Sequence, residues 1–205
     1  MVVTISASYA AGGGYVGPRL AERLGVPFVD RAIPNEVAQR LAVPLAEAVR
    51  HDETTGSVFE RFIRVLAPAG LAFGARPFLE HEIVDEAAYR DATEQVIREQ
   101  ADRHGGVFLG RAAALVLRES PRALHVRLYG PRERRIERAM ALEELTREEA
   151  EHRLVDNDRA REAYVHHFYG ADPDDLSLYH LAIDTTEIDL DCCVEIIGSA
   201  AERRR

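Results

Sequence analysis

Hydrophobic and polar positions along this chain alternate between two periods, and the switching lays out the elements. Residues 2–6 form a β-branched apolar run. A loop of small residues follows, ending in Gly12, Gly13 and Gly14, and then apolar positions recur at helical spacing to Leu24. This reads as strand, loop and helix, with Gly25 as the helix stop. Residues 27–30 read as a short buried strand that carries Asp30 at its carboxyl end. From 33 to 66 the pattern is helical and interrupted, with segments at 33–42, 44–49 and 58–66, a polar break at 51–56, and Pro- and Gly-marked turns at 67–70 and 74–77. A long helix is expected from about 78 or 82 to 104, ended by Gly105 and Gly106. The strand 107–109 then turns through Gly110 and Arg111 into a helix at 112–118. Residues 124–129 alternate as a strand, and 132–142 form an Arg-rich helix behind Pro131. Thr146 and Glu149 make a capping box for a helix running past Asp158 to Phe168. A loop at 170–175, a strand at 181–183 and a helix at 190–201 complete the chain.

Strands separated by helices predict an α/β fold whose central parallel sheet, of about five strands, is covered on both faces. In such sheets ligands collect at the carboxyl ends of the strands. Three of the expected strands end in suitable groups: the glycine loop, Asp30, and Gly110 with Arg111. Backbone N–H groups of a glycine loop at a helix start can approach an anion closely, so Ala10, Ala11, Gly12, Gly13, Gly14 and Tyr15 form a candidate phosphate loop.

The totals narrow the field. A chain of 205 residues with 46% hydrophobic and 30% charged residues suits one globular domain. No apolar run is long enough to span a bilayer, and no basic leader with an apolar core precedes the first strand, which predicts a cytoplasmic protein without a membrane partner. A net charge of −9 argues against a nucleic-acid partner, which calls for a basic face. Small polyanions such as nucleotides are not excluded, since local backbone donors and a few arginines bind them. All 26 basic residues are arginine, so any side-chain cation acting on a phosphate here is Arg or a protonated His. Cys192 and Cys193 have no partners at disulfide or zinc spacing and read as helix residues.

Taken together and in order, several segments resemble the cytidylate kinase-like branch of the nucleoside monophosphate kinases. They are residues 4–6 with Gly12 and Gly13, residues 20–25, residues 27–30, Gly110-Arg111-Ala112, residues 131–138, and Asp158, Arg161 and Tyr164 ahead of residues 168–170. The resemblance spans nearly the whole chain. It implies a P-loop NTPase three-layer sandwich in a single domain, with a core at 1–31, 105–143 and 180–205, a helical monophosphate-binding insertion at 32–104 and a helical lid at 144–179. It implies transfer of the γ-phosphoryl group of ATP, with Mg²⁺, to a nucleoside monophosphate or similar small acceptor. Arg111 would grip the acceptor phosphate, Arg161 and Asp158 would act from the lid, and Asp30 would hold Mg²⁺ through water, with no direct protein ligand to the metal. Read alone, each of these residues also admits a structural role: a turn cap for Arg111, an exposed helix pair for Asp158 and Arg161, a helix cap for Asp30.

The chain departs from the ordinary phosphate loop where it carries Lys and then Ser or Thr, since Gly13 and Gly14 stand there. The branch it resembles also tends to carry Gly at the Lys position. Leu109 replaces an acidic residue expected before Gly110. Three functions follow: a phosphotransferase in which arginines replace the lysine, a nucleotide or phospholigand sensor that keeps the fold without turnover, and an interaction protein with a vestigial pocket.

Overall fold

The computed structural model describes residues 1–30 and 86–204. The helices expected at 33–42, 44–49 and 58–66 and the start of the long helix lie outside the described residues. Within them the elements are β1 (Val2–Ala7), α1 (Gly13–Leu24), β2 (Phe28–Val29), α2 (Glu86–Arg103), β3 (Gly106–Leu109), α3 (Ala113–Val116), β4 (Ala123–Tyr129), α4 (Arg132–Glu143), α5 (Arg147–Tyr169), a 3₁₀ turn (Leu176–Leu178), β5 (Leu181–Asp184) and α6 (Leu190–Glu202). The five strands form one sheet in the order β2-β3-β1-β4-β5, and every pairing is parallel. All carboxyl ends therefore lie along one edge, and the glycine loop leaves the central strand.

Strand alternation divides the sheet into two chemically different faces. Val3 and Ile5 of β1, and Leu124, Val126 and Leu128 of β4, pack with α1 and α6 through Val16, Leu20, Cys193, Val194 and Ile197. The intervening residues point the other way. There Val2, Phe108 and Ala123 meet Val96 and Ile97 of α2, Val116 of α3, and Tyr164 and Val165 of α5. This second face is also polar: β1–β4 register sets Thr4 opposite His125 and Ser6 opposite Arg127, and both His125 and Arg127 are buried, each with 3% exposure. The polar phase of β4 is covered by helices, as expected of a sheet covered on both faces.

Helix ends follow the expected chemistry. Gly25 closes α1 in the left-handed conformation. The Thr146–Glu149 capping box opens α5, with both reciprocal hydrogen bonds formed. Of the two cysteines on α6, Cys193 is buried and Cys192 exposed. Among the described residues, no helix is long and apolar enough to cross a membrane.

His125 illustrates the cost of a polar residue on this face. Its Nδ1 lies 2.8 Å from Thr4 Oγ1, its ring stacks on His180 with centroids 4.9 Å apart, and its Nε2 is buried without a hydrogen-bond partner. Burial, with His180 and Arg204 nearby, pushes its pKa down to about 4. The unfolded chain thus binds a proton near pH 6.5 that the native state refuses until about pH 4, so this site contributes fully above pH 6.5 and progressively less as the pH falls. Its part of the stability loss between pH 7 and 5 should be about 2 kcal/mol. Urea titrations of the parent and His125→Gln at both pH values should show the variant losing less by that amount; equal losses would refute this account.

Candidate functional site

The site is built outward from the loop that links β1 to α1. Ser8 N–H donates to Leu128 O at 3.0 Å and Ala11 N–H to Ser8 O at 3.0 Å, which folds residues 8–11 into a tight turn. Ala10 and Gly12 take positive φ, 58° and 79°. For Gly12 a side chain is doubly disfavoured, because its Cβ would also come 2.5 Å from Leu190 Cδ2. The first amides of α1, those of Gly13 and Gly14, have no preceding helical carbonyl to bond. Gly14 has open space around its missing Cβ. An anion arriving there would meet N–H groups and the positive end of a twelve-residue helix.

The loop carbonyls, by contrast, are already engaged. Arg135 Nη1 donates to Tyr9 O at 2.9 Å and to Asp158 Oδ2 at 2.8 Å, while Asp158 Oδ1 accepts the Tyr9 N–H at 2.9 Å. Thr185 Oγ1 donates to Ala11 O at 3.0 Å, and Arg138 Nη2 holds Thr185 O at 2.5 Å. Thr185 is wholly buried. Side chains from α4, α5 and the segment after β5 thus fix the loop from outside. Asp158, one turn before Arg161 on α5, places its charge near that guanidinium but gives both its hydrogen-bonding oxygens to Tyr9 and Arg135. A helix-face pairing rule sees only residues on the same helix, whereas the loop and α4 approach α5 from across the fold.

The missing lysine has a packing counterpart. A Cβ on Gly13 would lie 2.8 Å from Ala7 Cβ and 3.0 Å from Leu109 Cδ1. The two departures noted in the sequence, Gly13 and Leu109, therefore meet in space. Leu109 leans over the position from which a lysine side chain would start.

Arg111 sits on an unusual turn at the carboxyl end of β3. Gly110, Arg111 and Ala112 have φ of 74°, 56° and 52°, three consecutive left-handed residues. Each non-glycine residue held this way costs roughly 1–2 kcal/mol. Of the four non-glycine residues with positive φ among those described, Ala10, Arg111 and Ala112 line one cavity and Glu144 does not. Strain gathered at one cavity is the mark of a functional site.

That cavity, about 710 Å³, brings the sequence-selected residues together. Ala10, Gly12, Gly13, Gly14 and Tyr15 line it, with Asp30, Arg111, Asp158 and Arg161. Ala11 does not; it is fully buried and contributes only the carbonyl bonded by Thr185. Tyr15 turns its hydroxyl to Asp191 Oδ1 at 3.0 Å, with the Arg19 guanidinium 3.5 Å above its ring.

The sequence did not single out Arg127, Asp174 or Thr185. Arg127 Nη1 donates to Leu128 O at 3.0 Å and Ser6 O at 3.3 Å, and its Nη2 donates to Ser8 Oγ at 2.8 Å and Asp174 Oδ1 at 2.5 Å. Arg161 Nη2 donates to the same Asp174 oxygen at 3.1 Å. Arg161 Nε and Nη1 are buried without hydrogen-bond partners among the described residues. Burial and the neighbouring Arg127 pull the Arg161 pKa below the ordinary guanidinium value. The signal for Arg127 was its phase: it shares the polar side of β4 with His125, opposite Ser6.

A five-stranded parallel sheet with a glycine loop on its central strand, flanked by arginines from the turn after β3 and from α5, defines a kinase-type α/β fold. Residues 2–187 match the model of the cytidylate kinase-like family. The chain belongs to this family. A cytidylate kinase from Methanocaldococcus jannaschii is 29% identical over 119 residues, covering 56% of this chain and 67% of that protein. A uronate isomerase from Corynebacterium glutamicum is 26% identical over 153 residues, 75% of this chain but only 29% of that protein's length. Among solved structures, an uncharacterized protein from Eubacterium ventriosum superposes with a TM-score of 0.70 at 17% identity, covering 98% of both chains. Shikimate kinase from Acinetobacter baumannii, in complex with shikimate, superposes with a TM-score of 0.52 at 17% identity, covering 99% of this chain and 93% of that one. The fold is the P-loop kinase three-layer sandwich. Family and fold support a nucleotide or small-molecule kinase-like function.

Two substitutions test this construction. Asp158→Asn leaves Arg135 partly unpaired and weakens the hold on Tyr9, and should cost about 2 kcal/mol in urea unfolding with faster exchange of the Tyr9 amide. An unchanged exchange rate would remove Asp158 from the clamp. Gly13→Ala forces a methyl against Ala7 and Leu109 and should destabilise by about 1–3 kcal/mol; a neutral result would show that this end of the sheet has room for a side chain.

Proposed function

We propose that this protein transfers the γ-phosphoryl group of ATP to a nucleoside monophosphate or a similar small phosphorylated acceptor. The observation that carries this reading is that Arg111, held on a strained left-handed turn, and Arg161, buried with unpaired donors, line the same cavity as the glycine loop. In the reaction an acceptor phosphate oxygen forms the new bond to the γ-phosphorus as its bond to the β–γ bridging oxygen breaks, leaving ADP. Such chemistry is mostly positioning and charge stabilisation.

On this reading the amides of Gly12, Gly13 and Gly14 cradle the ATP phosphates, Arg111 forks onto the acceptor phosphate, and Arg161 meets the charge that spreads over the transferring group. Mg²⁺ neutralises phosphate charge when bound with ATP. Asp30, at the end of β2 in the cavity wall, fits a metal that takes one or two carboxylates and keeps several waters. Residues 32–104 would be the acceptor insertion and 144–179 the lid. Within that lid, Tyr164 and Val165 are buried against the sheet, so the closing motion would belong to the segment after α5 and not to the whole helix.

The alternative, a phospholigand sensor without turnover, is favoured by one observation: Leu109 and Ala7 fill the space a phosphate-loop lysine would need. An assay separates the two. With ATP, Mg²⁺ and a panel of CMP, UMP and dCMP, the parent should turn over at least one acceptor. Arg111→Ala should weaken that acceptor about 30- to 150-fold, and Arg111→Lys nearly as much, since a point charge does not reproduce the fork. Arg161→Ala should lower turnover about 10³-fold while changing ATP affinity far less. ATP binding without phosphorylation of any acceptor in the panel would sink the enzyme reading and leave the sensor.

A further inference from the structure

Asp174 occupies a peculiar position. Its Oδ1 accepts hydrogen bonds from two guanidinium groups at once, Arg127 at 2.5 Å and Arg161 at 3.1 Å. The two cations differ in what else holds them. Arg127 is 3% exposed and keeps three further acceptors, Ser6 O, Leu128 O and Ser8 Oγ, so it is a fixed brace beneath the loop. Arg161 hydrogen-bonds only to Asp174 among the described residues, with the charge of Asp158 nearby, and its Nε and Nη1 are buried with no acceptor among those residues. Asp174 itself is 66% exposed and rides on the segment between α5 and the 3₁₀ turn, where its N–H is tied to Asp172 Oδ1. One solvent-facing carboxylate therefore answers two cations fixed from the protein side. A single oxygen satisfies one donor on each.

We propose that Asp174 is a built-in stand-in for a phosphoryl group, engaging Arg161 until a phosphate chain enters and then yielding it. This rests on reading the cavity as a phosphate site. A tetrahedral phosphoryl group offers three oxygens and up to two negative charges, so it can satisfy Arg161 donors that the carboxylate leaves unpaired. The exchange moves no proton: Asp174 leaves for solvent as a carboxylate, and the incoming anion replaces its charge. Without ligand, Asp174 offsets, together with Asp158, the repulsion between two neighbouring buried cations. It also subtracts from ligand affinity, because the binding-competent form is only the fraction with Arg161 released. The same competition favours release of a product whose charge has moved away from Arg161.

The test uses the full chain and magnesium-free inorganic pyrophosphate, titrated by calorimetry. Asp174→Asn removes the competing charge and should tighten pyrophosphate binding about 5- to 20-fold, the reverse of what loss of an ordinary site residue does. In an Arg161→Ala background the same substitution should give no gain. Unchanged or weaker binding by Asp174→Asn, or a gain that survives without Arg161, would overturn the proposal while leaving the phosphate site intact. Failure of the parent to bind pyrophosphate at all would overturn the phosphate-site reading and this inference with it. Should Asp174→Asn not fold because Arg127 loses its counter-ion, Arg127→Met and Arg127→Met/Asp174→Asn provide the comparison, with the same gain expected between them.

Discussion

The carboxyl edge of the sheet depends on which backbone groups of residues 8–14 are already taken. A loop that binds anions has to keep its N–H groups available, yet its carbonyls cannot be left buried and unpaired. Here the carbonyls are met by side chains, Arg135 on Tyr9 and Thr185 on Ala11, while Arg127 holds Ser6 O at the end of β1 and Ser8 Oγ at the start of the loop. Each of these donors comes from a different element, so the loop conformation is fixed by tertiary structure and not by its own composition. Three glycines permit the conformation. The clamp from β4, α4, α5 and the segment after β5 selects it.

The same constraint explains the use of arginine in an acidic chain. Arg127 and Arg135 are buried to within a tenth of full burial and bond to carbonyls and carboxylates together. A guanidinium does this because its five donors point in fixed, separate directions, whereas an ammonium concentrates its charge at one strongly hydrated point. Positive charge thus enters the site along the sheet and helices rather than through a lysine in the loop. Local arrangement, not the net charge of −9, decides what the cavity attracts.

Much of the fold was legible because it follows local rules. Gly25, the Thr146–Glu149 box and the alternation of residues 124–129 each announce a boundary or a period, and the structure has the corresponding elements. Of the site, sequence could select the residues at strand ends, Asp30 and Arg111, and the loop itself, because position in an α/β sheet carries that information. It could not reveal the links between elements. Helix spacing pairs Asp158 with Arg161, whose guanidinium does feel its charge, but spacing does not show that both carboxylate oxygens hydrogen-bond to Tyr9 and Arg135, far away in sequence. Arg127 lies on the polar phase of β4, and alternation alone does not show that it is buried and braces the loop. Asp174, in a loop with Asp172, Pro173 and Asp175 beside it, carried no signal.

The meeting of Gly13 with Leu109 changes what the absent lysine means. Had the lysine been lost by a single substitution, the space for its side chain would remain, and restoring it would be a matter of one residue. Instead the Cβ position is closed by Ala7 and Leu109, from β1 and β3. Leu109 also stands where an acidic residue is expected in the related kinases, so one side chain both removes a negative charge from the cavity wall and fills the route of the missing positive one. The two changes compensate electrostatically and sterically. On the proposed enzyme reading the charge has to come from elsewhere in the cavity, which Arg161 lines with Nε and Nη1 unpaired among the described residues; on the sensor reading the closed position leaves the lysine's charge unreplaced.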